Sequence, residues 1–466
     1  MFTLHEITKI VCGGCDIADS SKILSGVSTD SRTIKEGELF IALKGDSFDG
    51  SKFVMEAHNK GAIAAIVEGD DSFDSNLPIL RVEDSRRALG SIAKAHREKF
   101  DIPIIAITGS NGKTTVKDLI AHILSIKFNV LKTANNENNQ IGVPRTLLML
   151  NKDHDVAVIE IGASEPGEVR YNADIAKPDI ALITNVGPSH LDGLKDIRGV
   201  LEEKISLVES IDRDCAWIKN YDDELLSEKN YDSLRVIRYG IANNDVDLKA
   251  SDIRYDNGGT EFKLRVTKKT EERSQIYETY NIQTSLLGIG NVYNLLSAIA
   301  ASSLFMDVGD IVETIRNFKP PKMRMEVMDV DGFMIINDAY NSNPLSLRYA
   351  LDFFRDLSCR GNKIFVCGDM LELGQGSESL HYDLGKMVSE CGIDYLITHG
   401  ERSLIFGRGA LDAGMREDRV KSFMHKNKLK TFLSSIAKRE DAILIKGSRS
   451  MKMEEVIDCF ITYSTP

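Results

Sequence analysis

Residues 103–115 read Pro-Ile-Ile-Ala-Ile-Thr-Gly-Ser-Asn-Gly-Lys-Thr-Thr, an apolar run that leads directly into a glycine-rich loop. The apolar run predicts a buried strand, and the glycines after it allow backbone N–H groups to converge on an anion. Lys113 adds a mobile positive charge, and the hydroxyl of Thr114 can reach a magnesium ion. The loop departs from the full pattern G-x-x-x-x-G-K-[ST] at one position, since Ile107 stands where the first glycine would be.

A helical pattern follows this loop and strengthens the prediction of a phosphate site. Apolar residues recur at helical spacing, at Val116, Leu119, Ile120, Ile123 and Leu124. A glycine-rich turn with a stray lysine is the alternative, but strand, loop and helix are all in register for a nucleotide. We therefore predict an ATP site whose loop residues are Gly109, Ser110, Asn111, Gly112, Lys113, Thr114 and Thr115.

The composition limits the classes of protein that fit. The chain has 466 residues, which predicts about three domains. Its hydrophobic content of 42% and charged content of 27% are typical of a soluble globular protein. The net charge of -12 argues against nucleic acid or an anionic membrane as the main partner, because both favour a basic face.

Three further features predict a cytoplasmic protein without membrane insertion. The N-terminus lacks the basic stretch and apolar stretch of a secretory signal. No uninterrupted apolar run approaches the ~20 residues of a membrane span. The seven cysteines are scattered without a disulfide framework, which fits a reducing compartment.

The apolar runs divide the chain into three blocks of α/β character. Residues 1–99 alternate short apolar runs with helical stretches. Residues 100–317 predict a central, mostly parallel sheet of the phosphate-loop type, and the alternation over 246–287 predicts a small antiparallel extension. Consecutive prolines at 320 and 321 predict a linker. Residues 318–466 then resume as a C-terminal, Rossmann-like α/β domain.

Polar residues follow several predicted strands, where the ligands of open α/β sheets gather. Glu160 ends the apolar run that starts at Val156, and an acid placed there after a phosphate loop can hold magnesium. His190 follows the next run and is expected near the phosphates. A strand-end glutamate is also often a capping or surface residue, and a lone histidine is more often structural. Lys204, on a predicted helix, would by its spacing alone be a solvated lysine.

Further polar groups predict a substrate cleft. Asn291 and Asn294 lie at i and i+3 of a helix and can supply the donor and acceptor for an adenine edge, although Asn291 alone would be a helix N-cap. Residues 337–344 place one acid and three amides after a strand, which suits a polar zwitterion or a ribose; Asn-Pro is also a plain helix start. Segments 368–374 and 446–449 likewise follow strands, and such clustering is typical of a cleft between domains.

Taken together, these motifs resemble those of the Mur ligases, the ATP-dependent enzymes that form amide bonds in cell-wall synthesis. The resemblance covers nearly the whole chain in the right order. Segments 27–32, 37–45 and 48–50 look like the family's UDP-sugar-binding first domain, and 135–144 falls where the family has a central motif. The implied substrate contacts are Ser28, Thr29, Asp30, Ser31, Arg32, Lys44, Gly45, Phe48, Asp49, Asn136 and Asn139.

The third block also contains segments that resemble the family's motifs for the amine substrate. Segments 338–344 and 446–449 are similar to those of the family members that use D-alanyl-D-alanine, whereas the sibling that adds lysine or diaminopimelate has a His-Thr-Pro version of the first motif. The implied contacts to the amine substrate are Tyr340, Asn341, Asn343, Lys446, Ser448 and Arg449. Arg324 and Asp338 match family positions that contact ATP.

The resemblance implies a ligase that joins D-alanyl-D-alanine to UDP-N-acetylmuramoyl-tripeptide through an acyl phosphate, with ATP and Mg²⁺. The implied catalytic residues are Lys113, Glu160, His190 and Lys204, and the implied metal ligands are Thr114, Glu160, His190 and a carbamylated Lys204. We expect a monomeric, cytoplasmic enzyme of peptidoglycan synthesis whose partners are these two substrates. The alternatives are a sibling ligase, a folylpolyglutamate-type synthetase and a regulatory P-loop ATPase.

Overall fold

Three runs of strands and helices follow one another in this computed structural model. It describes residues 2–12, 21–45, 48–70, 72–73, 76–256, 259–269 and 275–461. The first run contains α1 (Leu4–Cys12), β1 (Gly26–Ser28), β2 (Glu38–Ile41), β3 (Lys44–Gly45), β4 (Phe48–Asp49), α2 (Val54–Asn59), β5 (Ala64–Glu68), β6 (Ile79–Val82) and α3 (Ser85–Arg97). None of the helices in these described ranges is long and apolar enough to cross a membrane.

A four-stranded parallel sheet in the order β1-β2-β5-β6 forms the centre of the first run. Successive residues of a strand point to opposite faces. Accordingly, Leu39 and Ile41 of β2 pack into one apolar cluster and Phe40 packs into another. Strands β3 and β4 pair separately as a short antiparallel ribbon. The alternation of apolar runs and helices predicted for this block is therefore present.

The middle run starts with the strand and helix that flank the glycine-rich loop. Its elements are β7 (Ile104–Thr108), α4 (Lys113–Leu124), β8 (Val130–Lys132), α5 (Gly142–Leu147), β9 (Val156–Glu160), α6 (Glu168–Ala176), β10 (Ile180–Ile183), α7 (Leu191–Leu194), α8 (Ile197–Ile205), β11 (Ala216–Asn220), α9 (Glu224–Ser227), β12 (Arg235–Gly240), β13 (Leu248–Asp256), β14 (Gly259–Lys269), β15 (Gln275–Thr284), α10 (Ile289–Ser302) and α11 (Val308–Ile315). The strand and the helix predicted on either side of the loop are thus confirmed.

The chain divides into two compact units. One consists of Met1–Ala106, Phe128–Gly162 and Glu168–Asp179, and the other of Ile107–Lys127, Ala163–Gly167 and Ile180–Pro466. Strand β7 therefore begins in the first unit and ends in the second. The domain limits expected from the sequence, at 99/100 and 317/318, stay predictions.

Pairing within each unit confirms the mostly parallel character of the middle run. In the first unit β8 pairs in parallel with β9. In the second unit β10, β11, β12 and the start of β13 pair in parallel, and β13, β14 and β15 then pair antiparallel. The antiparallel extension predicted from alternation is present, with Asp256 opposite Gly259 in the register. The two residues of the predicted hairpin turn, 257 and 258, lie outside the described residues.

The third run forms a six-stranded sheet in the order β16-β17-β21-β18-β19-β20. Its elements are β16 (Glu326–Val330), β17 (Phe333–Asp338), α12 (Pro344–Asp356), β18 (Lys363–Gly368), α13 (Ser377–Glu390), β19 (Tyr395–His399), α14 (Glu401–Asp412), β20 (Val420–Phe423), α15 (Lys426–Ile436) and β21 (Ala442–Lys446). Apart from the antiparallel pair β16–β17, all neighbours are parallel. This arrangement confirms the Rossmann-like α/β prediction.

Both faces of this third sheet are covered, which explains why its strands read as continuous apolar runs. Ile335, Ile364 and Ile443 pack into the cluster on one face. Their chain neighbours Ile336, Phe365 and Leu444 pack into the cluster on the other face. Polar residues are consequently displaced to the carboxyl ends of the strands, where ligands bind in such sheets.

A buried arginine ends helix α3 and fixes the segment that leads into β7. Arg97 donates hydrogen bonds to the carbonyl oxygens of Phe100 (2.5 Å), Ile102 (3.1 Å) and Ala176 (3.0 Å). Burial lowers the pKa of its guanidinium. The guanidinium therefore supplies hydrogen-bond donors to buried carbonyl groups that would otherwise be unpaired.

We expect Arg97→Met to lower the free energy of unfolding by about 3 kcal/mol, because a buried acceptor left without a donor costs about 1–3 kcal/mol. Arg97 is only 8% exposed. The matched control is Arg87→Met on the same helix, since that side chain is 83% exposed and its ion pair with Asp84 is a surface pair; it should change stability by less than about 0.5 kcal/mol. Urea unfolding followed by circular dichroism measures both, and equal effects would refute this role of Arg97.

Candidate active site

Two glycines shape the loop between β7 and α4. Gly109 has φ +140° and Gly112 has φ +85°, conformations that side chains with a Cβ rarely adopt. A Cβ on Gly109 would lie 2.0 Å from Thr184 Oγ1, and one on Gly112 would lie 2.1 Å from Asn294 Oδ1. The loop is therefore packed against polar side chains from the segment after β10 and from α10.

The residues that follow β10 hold this loop in place. Asn185 accepts a hydrogen bond from the Ser110 N–H with its carbonyl oxygen (3.0 Å) and one from the Asn111 N–H with Oδ1 (3.0 Å). The hydroxyl of Thr184 donates to the Asn111 carbonyl at 2.5 Å. The sequence singled out only His190 in this stretch and missed Asn185. Its signal was present, because Asn185 is a polar residue directly after a buried apolar run.

Two positively charged side chains, Lys113 and Arg324, make hydrogen bonds at the loop. Lys113 Nζ donates to the Gly109 carbonyl at 2.6 Å, so its ammonium group lies along the loop. Arg324 Nη2 donates to Thr114 Oγ1 at 2.9 Å, and its guanidinium stacks 3.9 Å from the ring centroid of Tyr340. The structure thus brings Arg324, from the third run, to the hydroxyl that was predicted to meet a cation.

The donor chemistry at Thr114 fits magnesium. Within the described residues no three His, Cys, Asp or Glu side chains come together as a metal site. Mg²⁺ is, however, usually held by one or two protein oxygens together with substrate phosphates. The Thr114 hydroxyl is one such protein oxygen, and in this structure it accepts a hydrogen bond from Arg324.

An amide pair joins the loop to the third run. Asn111 Nδ2 donates to Asn343 Oδ1 at 3.1 Å, and Asn343 Nδ2 donates to Asn111 Oδ1 at 2.8 Å. Asn343 is also the N-cap of α12, where its Oδ1 accepts the Ser346 N–H at 2.9 Å in a capping box. The interpretation of the Asn-Pro segment as a helix start is therefore confirmed. Its role in binding a zwitterion or a ribose stays a prediction.

A buried lysine organises the ends of β17 and β21. Lys446 Nζ donates to Asp338 Oδ2 at 2.5 Å and to the Asn341 carbonyl at 3.2 Å. Only 1% of Lys446 is exposed, so its charge is compensated within the fold. Ser448 accepts the Leu371 N–H at 2.8 Å, and Arg449 pairs with Glu454 at 2.7 Å. The polar residues at these strand ends are therefore each held by their own partner within the third run.

His190 is placed by a residue that the sequence did not single out. Its Nδ1 lies 2.6 Å from Oε2 of Glu372, and the proximity of His190 lowers the pKa of the Glu372 carboxyl. His190 precedes α7 with φ +54°, in the left-handed region. Glu372 belongs to the polar segment 368–374 noted in the sequence, but that pattern did not distinguish it from its neighbours.

The two asparagines of α10 lie on one face and contact each other. Asn294 Nδ2 donates to Asn291 Oδ1 at 2.9 Å, and Asn291 Nδ2 donates to the Leu287 carbonyl at 2.8 Å. The N-cap of α10 is Gly288, so the alternative that Asn291 is simply an N-cap is wrong. Asn294 is instead the side chain against which Gly112 packs.

Lys204 lies on α8 and is 1% exposed. The alternative of a solvated helix lysine is therefore wrong. A buried ammonium group is costly unless it is paired or chemically neutralised. Burial alone does not show whether the Lys204 ammonium group is paired or chemically neutralised. It does show that Lys204 is not a solvated surface lysine.

Glu160 belongs to the first unit and is described there by itself. It ends β9, is 1% exposed, and its Oε1 accepts a hydrogen bond from Asn138 Nδ2 at 2.7 Å. The alternative of a surface glutamate is thus wrong. Asn138 was missed within the 135–144 motif, where the sequence favoured Asn136 and Asn139. Asn139 instead accepts the N–H groups of Ile141 and Gly142 at the start of α5.

The candidate UDP-sugar residues form two groups in the first unit. Arg32 pairs with Asp30 at 2.7 Å, and the hydrogen bond from its side chain lowers the pKa of Asp30 to about 2. Ser28 Oγ donates to the Asp30 carbonyl at 3.1 Å. The second group lies on the β3–β4 ribbon, where Phe48 stacks on Phe53 with ring centroids 5.8 Å apart. Lys44, Gly45 and Asp49 are on the same ribbon.

We expect Gly112→Ala to reduce kcat/KM for ATP about 100-fold, because displacing a catalytic loop by about 1 Å costs this much. The added Cβ would collide with Asn294 in a backbone conformation that alanine disfavours. Gly309→Ala is the matched control, since a Cβ there meets nothing within 4 Å. Steady-state kinetics with varied ATP tests both variants. Wild-type activity of Gly112→Ala would contradict the described loop geometry.

Three family models match the chain in sequence order. They are the "Mur ligase family, catalytic domain" over residues 23–97, the "Mur ligase middle domain" over 107–302, and the "Mur ligase, glutamate ligase domain" over 323–449. Each of the three blocks seen in the sequence contains one of these matches.

Curated relatives match over nearly their full length. The UDP-N-acetylmuramoyl-tripeptide–D-alanyl-D-alanine ligase of Bacillus subtilis is 35% identical over 93% of this chain and 93% of its own. The enzyme of the same name from Escherichia coli is 34% identical over 98% and 97%.

Solved structures match equally broadly. MurF from Acinetobacter baumannii aligns over 98% of both chains with a TM-score of 0.86 and 28% identity. MurF ligase from Thermotoga maritima in complex with ADP aligns over 93% of this chain and 96% of that chain, with a TM-score of 0.81 and 25% identity. On this sequence identity, coverage and order of matched regions, the chain belongs to the Mur ligase family.

Proposed function

We propose that this chain is the ATP-dependent ligase that joins D-alanyl-D-alanine to UDP-N-acetylmuramoyl-tripeptide. The single structural observation that carries the proposal is that two residues of the third run, Arg324 and Asn343, contact the phosphate loop directly. A nucleotide bound there would be enclosed by the part of the chain that is expected to bind the amine. Relatives with this activity match the chain from end to end.

The reaction needs ATP because a carboxylate is a poor electrophile toward an amine in water. Transfer of the γ-phosphoryl group to the terminal carboxylate of the tripeptide gives an acyl phosphate, and attack by the amine then releases phosphate. Lys113, the N–H groups at the start of α4, and Arg324 would neutralise charge on the transferring group. Domain closure around the intermediate would exclude water and protect it from hydrolysis.

Magnesium, when bound, would supply further charge neutralisation on the phosphates. We propose Thr114, Glu160, His190 and Lys204 as the residues that hold it. The burial of Lys204 supports carbamylation, since this modification would convert a buried cation into an anionic oxygen ligand. The buried carboxylate of Glu160, already fixed by Asn138, supports its part in the same set.

The two peptide-bearing substrates are assigned to different runs. D-alanyl-D-alanine would be bound by the third-run group of Tyr340, Asn341, Asn343, Lys446, Ser448 and Arg449. The UDP-sugar would be bound in the first unit, where the Asp30–Arg32 pair and the β3–β4 ribbon supply charged and aromatic groups. Asn291 and Asn294, with Asp338, would contact the nucleotide.

We further propose that the enzyme acts as a cytoplasmic monomer. A regulatory ATPase is the competing function, and it predicts hydrolysis that is independent of any acceptor amine.

The decisive assay measures ATP-dependent phosphate release with UDP-N-acetylmuramoyl-tripeptide, with and without D-alanyl-D-alanine, and the mass of the product. Tripeptides carrying lysine and diaminopimelate are tested in parallel. We expect release that requires the dipeptide, together with a pentapeptide product. Lys113→Ala is the inactive control. Release that is indifferent to the dipeptide would refute the proposal and favour an ATPase, whereas release with a single amino acid would favour a sibling ligase.

We expect Lys204→Ala to lose nearly all activity and to recover part of it with added acetate or another short carboxylate. The added anion would replace the carbamate oxygens in the cavity that the substitution opens. Lys152→Ala, at an exposed turn lysine, should retain activity and show no response to acetate. An inactive but folded Lys204→Ala protein without rescue would exclude carbamylation as the function of this lysine.

A further inference from the structure

Arg324 lies in a short segment, residues 323–325, directly before β16. Both of its neighbours have left-handed backbone, with φ +58° at Met323 and +52° at Met325. Such conformations are unfavourable for residues that carry a Cβ, and they persist only where surrounding contacts hold them. The contacts that hold this segment therefore decide where the Arg324 guanidinium points.

Two carboxylates hold the two backbone N–H groups on either side of Arg324. Glu326 Oε2 accepts the Met323 N–H at 2.8 Å, and Asp338 Oδ1 accepts the Met325 N–H at 3.0 Å. Hydrogen bonds to an ionised acceptor are roughly twice as strong as those between neutral groups. Glu326 is the first residue of β16, and Asp338 is the last residue of its antiparallel partner β17. The two carboxylates thus attach the segment to one pair of strands.

The guanidinium held in this way meets the phosphate loop. Arg324 Nη2 donates to Thr114 Oγ1 at 2.9 Å, and Cζ lies 3.9 Å from the ring centroid of Tyr340. Arg324 Nε is buried and has no hydrogen-bond partner among the residues that the structure describes. A buried donor without a partner destabilises a fold. The stability of the fold alone therefore does not account for the position of this side chain, whereas a ligand at the loop would.

We propose that Glu326 is a positioning residue for Arg324: by holding the Met323 N–H, its carboxylate fixes the guanidinium at the phosphate loop, where it neutralises the transferring phosphoryl group. The inference rests on one part of the proposed function, namely that Arg324 acts on the phosphates of ATP. Glu326 acts through the backbone of Met323 and not by contact with a substrate. Because a displacement of about 1 Å can cost about 100-fold in rate, the loss of this hydrogen bond is measurable.

The first test measures steady-state kinetics in the phosphate-release assay. Glu326→Ala should lower kcat about 10–100-fold and leave the KM for the amine substrate unchanged, because only the guanidinium is displaced. Glu326→Gln should stay close to wild type, since its amide oxygen still accepts the Met323 N–H. Asp329→Ala is the matched control. Asp329 lies on the same strand and its Oδ1 accepts the Gly332 N–H at 3.0 Å, so its loss should leave kcat unchanged.

A double-mutant cycle separates positioning from a merely structural role. Arg324→Ala should lower kcat at least about 1000-fold, the usual contribution of an arginine that stabilises a transferring phosphoryl group. Glu326→Ala should then cause no further loss in the Arg324→Ala background, because it acts through the missing guanidinium. Equal losses in both backgrounds, or wild-type kcat in folded Glu326→Ala, would overturn the proposal.

The second test measures nucleotide binding by isothermal titration calorimetry, with ADP and with a non-hydrolysable ATP analogue in the presence of Mg²⁺. Glu326→Ala should weaken binding of the analogue about 10-fold, the usual effect of losing a hydrogen bond to a charged group. The affinity for ADP should stay unchanged, because ADP lacks the phosphoryl group that Arg324 serves. Equal weakening of both nucleotides would indicate a loosened fold and would count against positioning.

Glu326→Asp takes the place of Glu326→Ala in both tests if the alanine variant does not fold, since it keeps the charge and shortens the side chain by one methylene. The outcome is separable from that of the proposed reaction. Phosphate release that does not need the dipeptide would refute the joining reaction, and the same cycle is then measured on ATP hydrolysis. Additive losses in a dipeptide-dependent enzyme would refute only the role of Glu326.

Discussion

The side chain of Asn185 holds both polar groups of the Asn111 backbone, and the candidate nucleotide site depends on this interaction. Its Oδ1 accepts the Asn111 N–H at 3.0 Å, and its Nδ2 donates to the Asn111 carbonyl at 3.2 Å. A single side chain therefore replaces the neighbouring strand that would otherwise pair with this backbone. Because Val186 is in turn held by Asp223 at 2.8 Å, the segment that carries Asn185 is itself anchored. Both polar groups of the Asn111 backbone are therefore paired while the loop remains free to bind a ligand.

With the loop fixed in this way, its outward side chains become fixed partners for the third run. The Asn111 amide meets that of Asn343, and Thr114 meets Arg324. Arg324 lies between two residues in the left-handed region, Met323 (φ +58°) and Met325 (φ +52°). Such conformations cost about 1–3 kcal/mol each. They are maintained by the Tyr340 N–H on the Met323 carbonyl and by Asp338 Oδ1 on the Met325 N–H. The unfavourable backbone conformations of Met323 and Met325 thus flank the residue whose guanidinium contacts Thr114.

Much of the fold could be predicted from the sequence because its strands are buried on both faces. Runs such as 104–108 and 442–446 are almost wholly apolar, and only a covered parallel sheet needs that pattern. The loop between β7 and α4 could be predicted because glycines often mark positions where the backbone packs closely against other groups. Short or edge strands gave weaker signals. Strand β16, with alternating exposed and half-buried residues, escaped the sequence analysis.

The rest of the site could not be predicted because its partners are distant in sequence. Asn185 acts on a loop 74 residues away, and Glu372 meets His190 across the boundary between two runs. At a strand end a glutamate or asparagine is common, and only the fold selects which one makes a contact. Lys204 and Glu160 show a second property that the sequence does not reveal. Their ordinary interpretations failed on burial, a property that spacing along a helix or strand does not report.

The partners of Arg97 bear on how separable the first run is from the rest of the chain. All four carbonyl groups that receive its hydrogen bonds come from residues after Lys99, at positions 100, 102, 176 and 177. A fragment ending at 99 would keep the buried guanidinium and lose every one of these acceptors. Residues 1–99 therefore do not form a free-standing module. Helix α3 is completed by segments that follow it in the chain and belong to the same compact unit, so a shortened protein would have to include them.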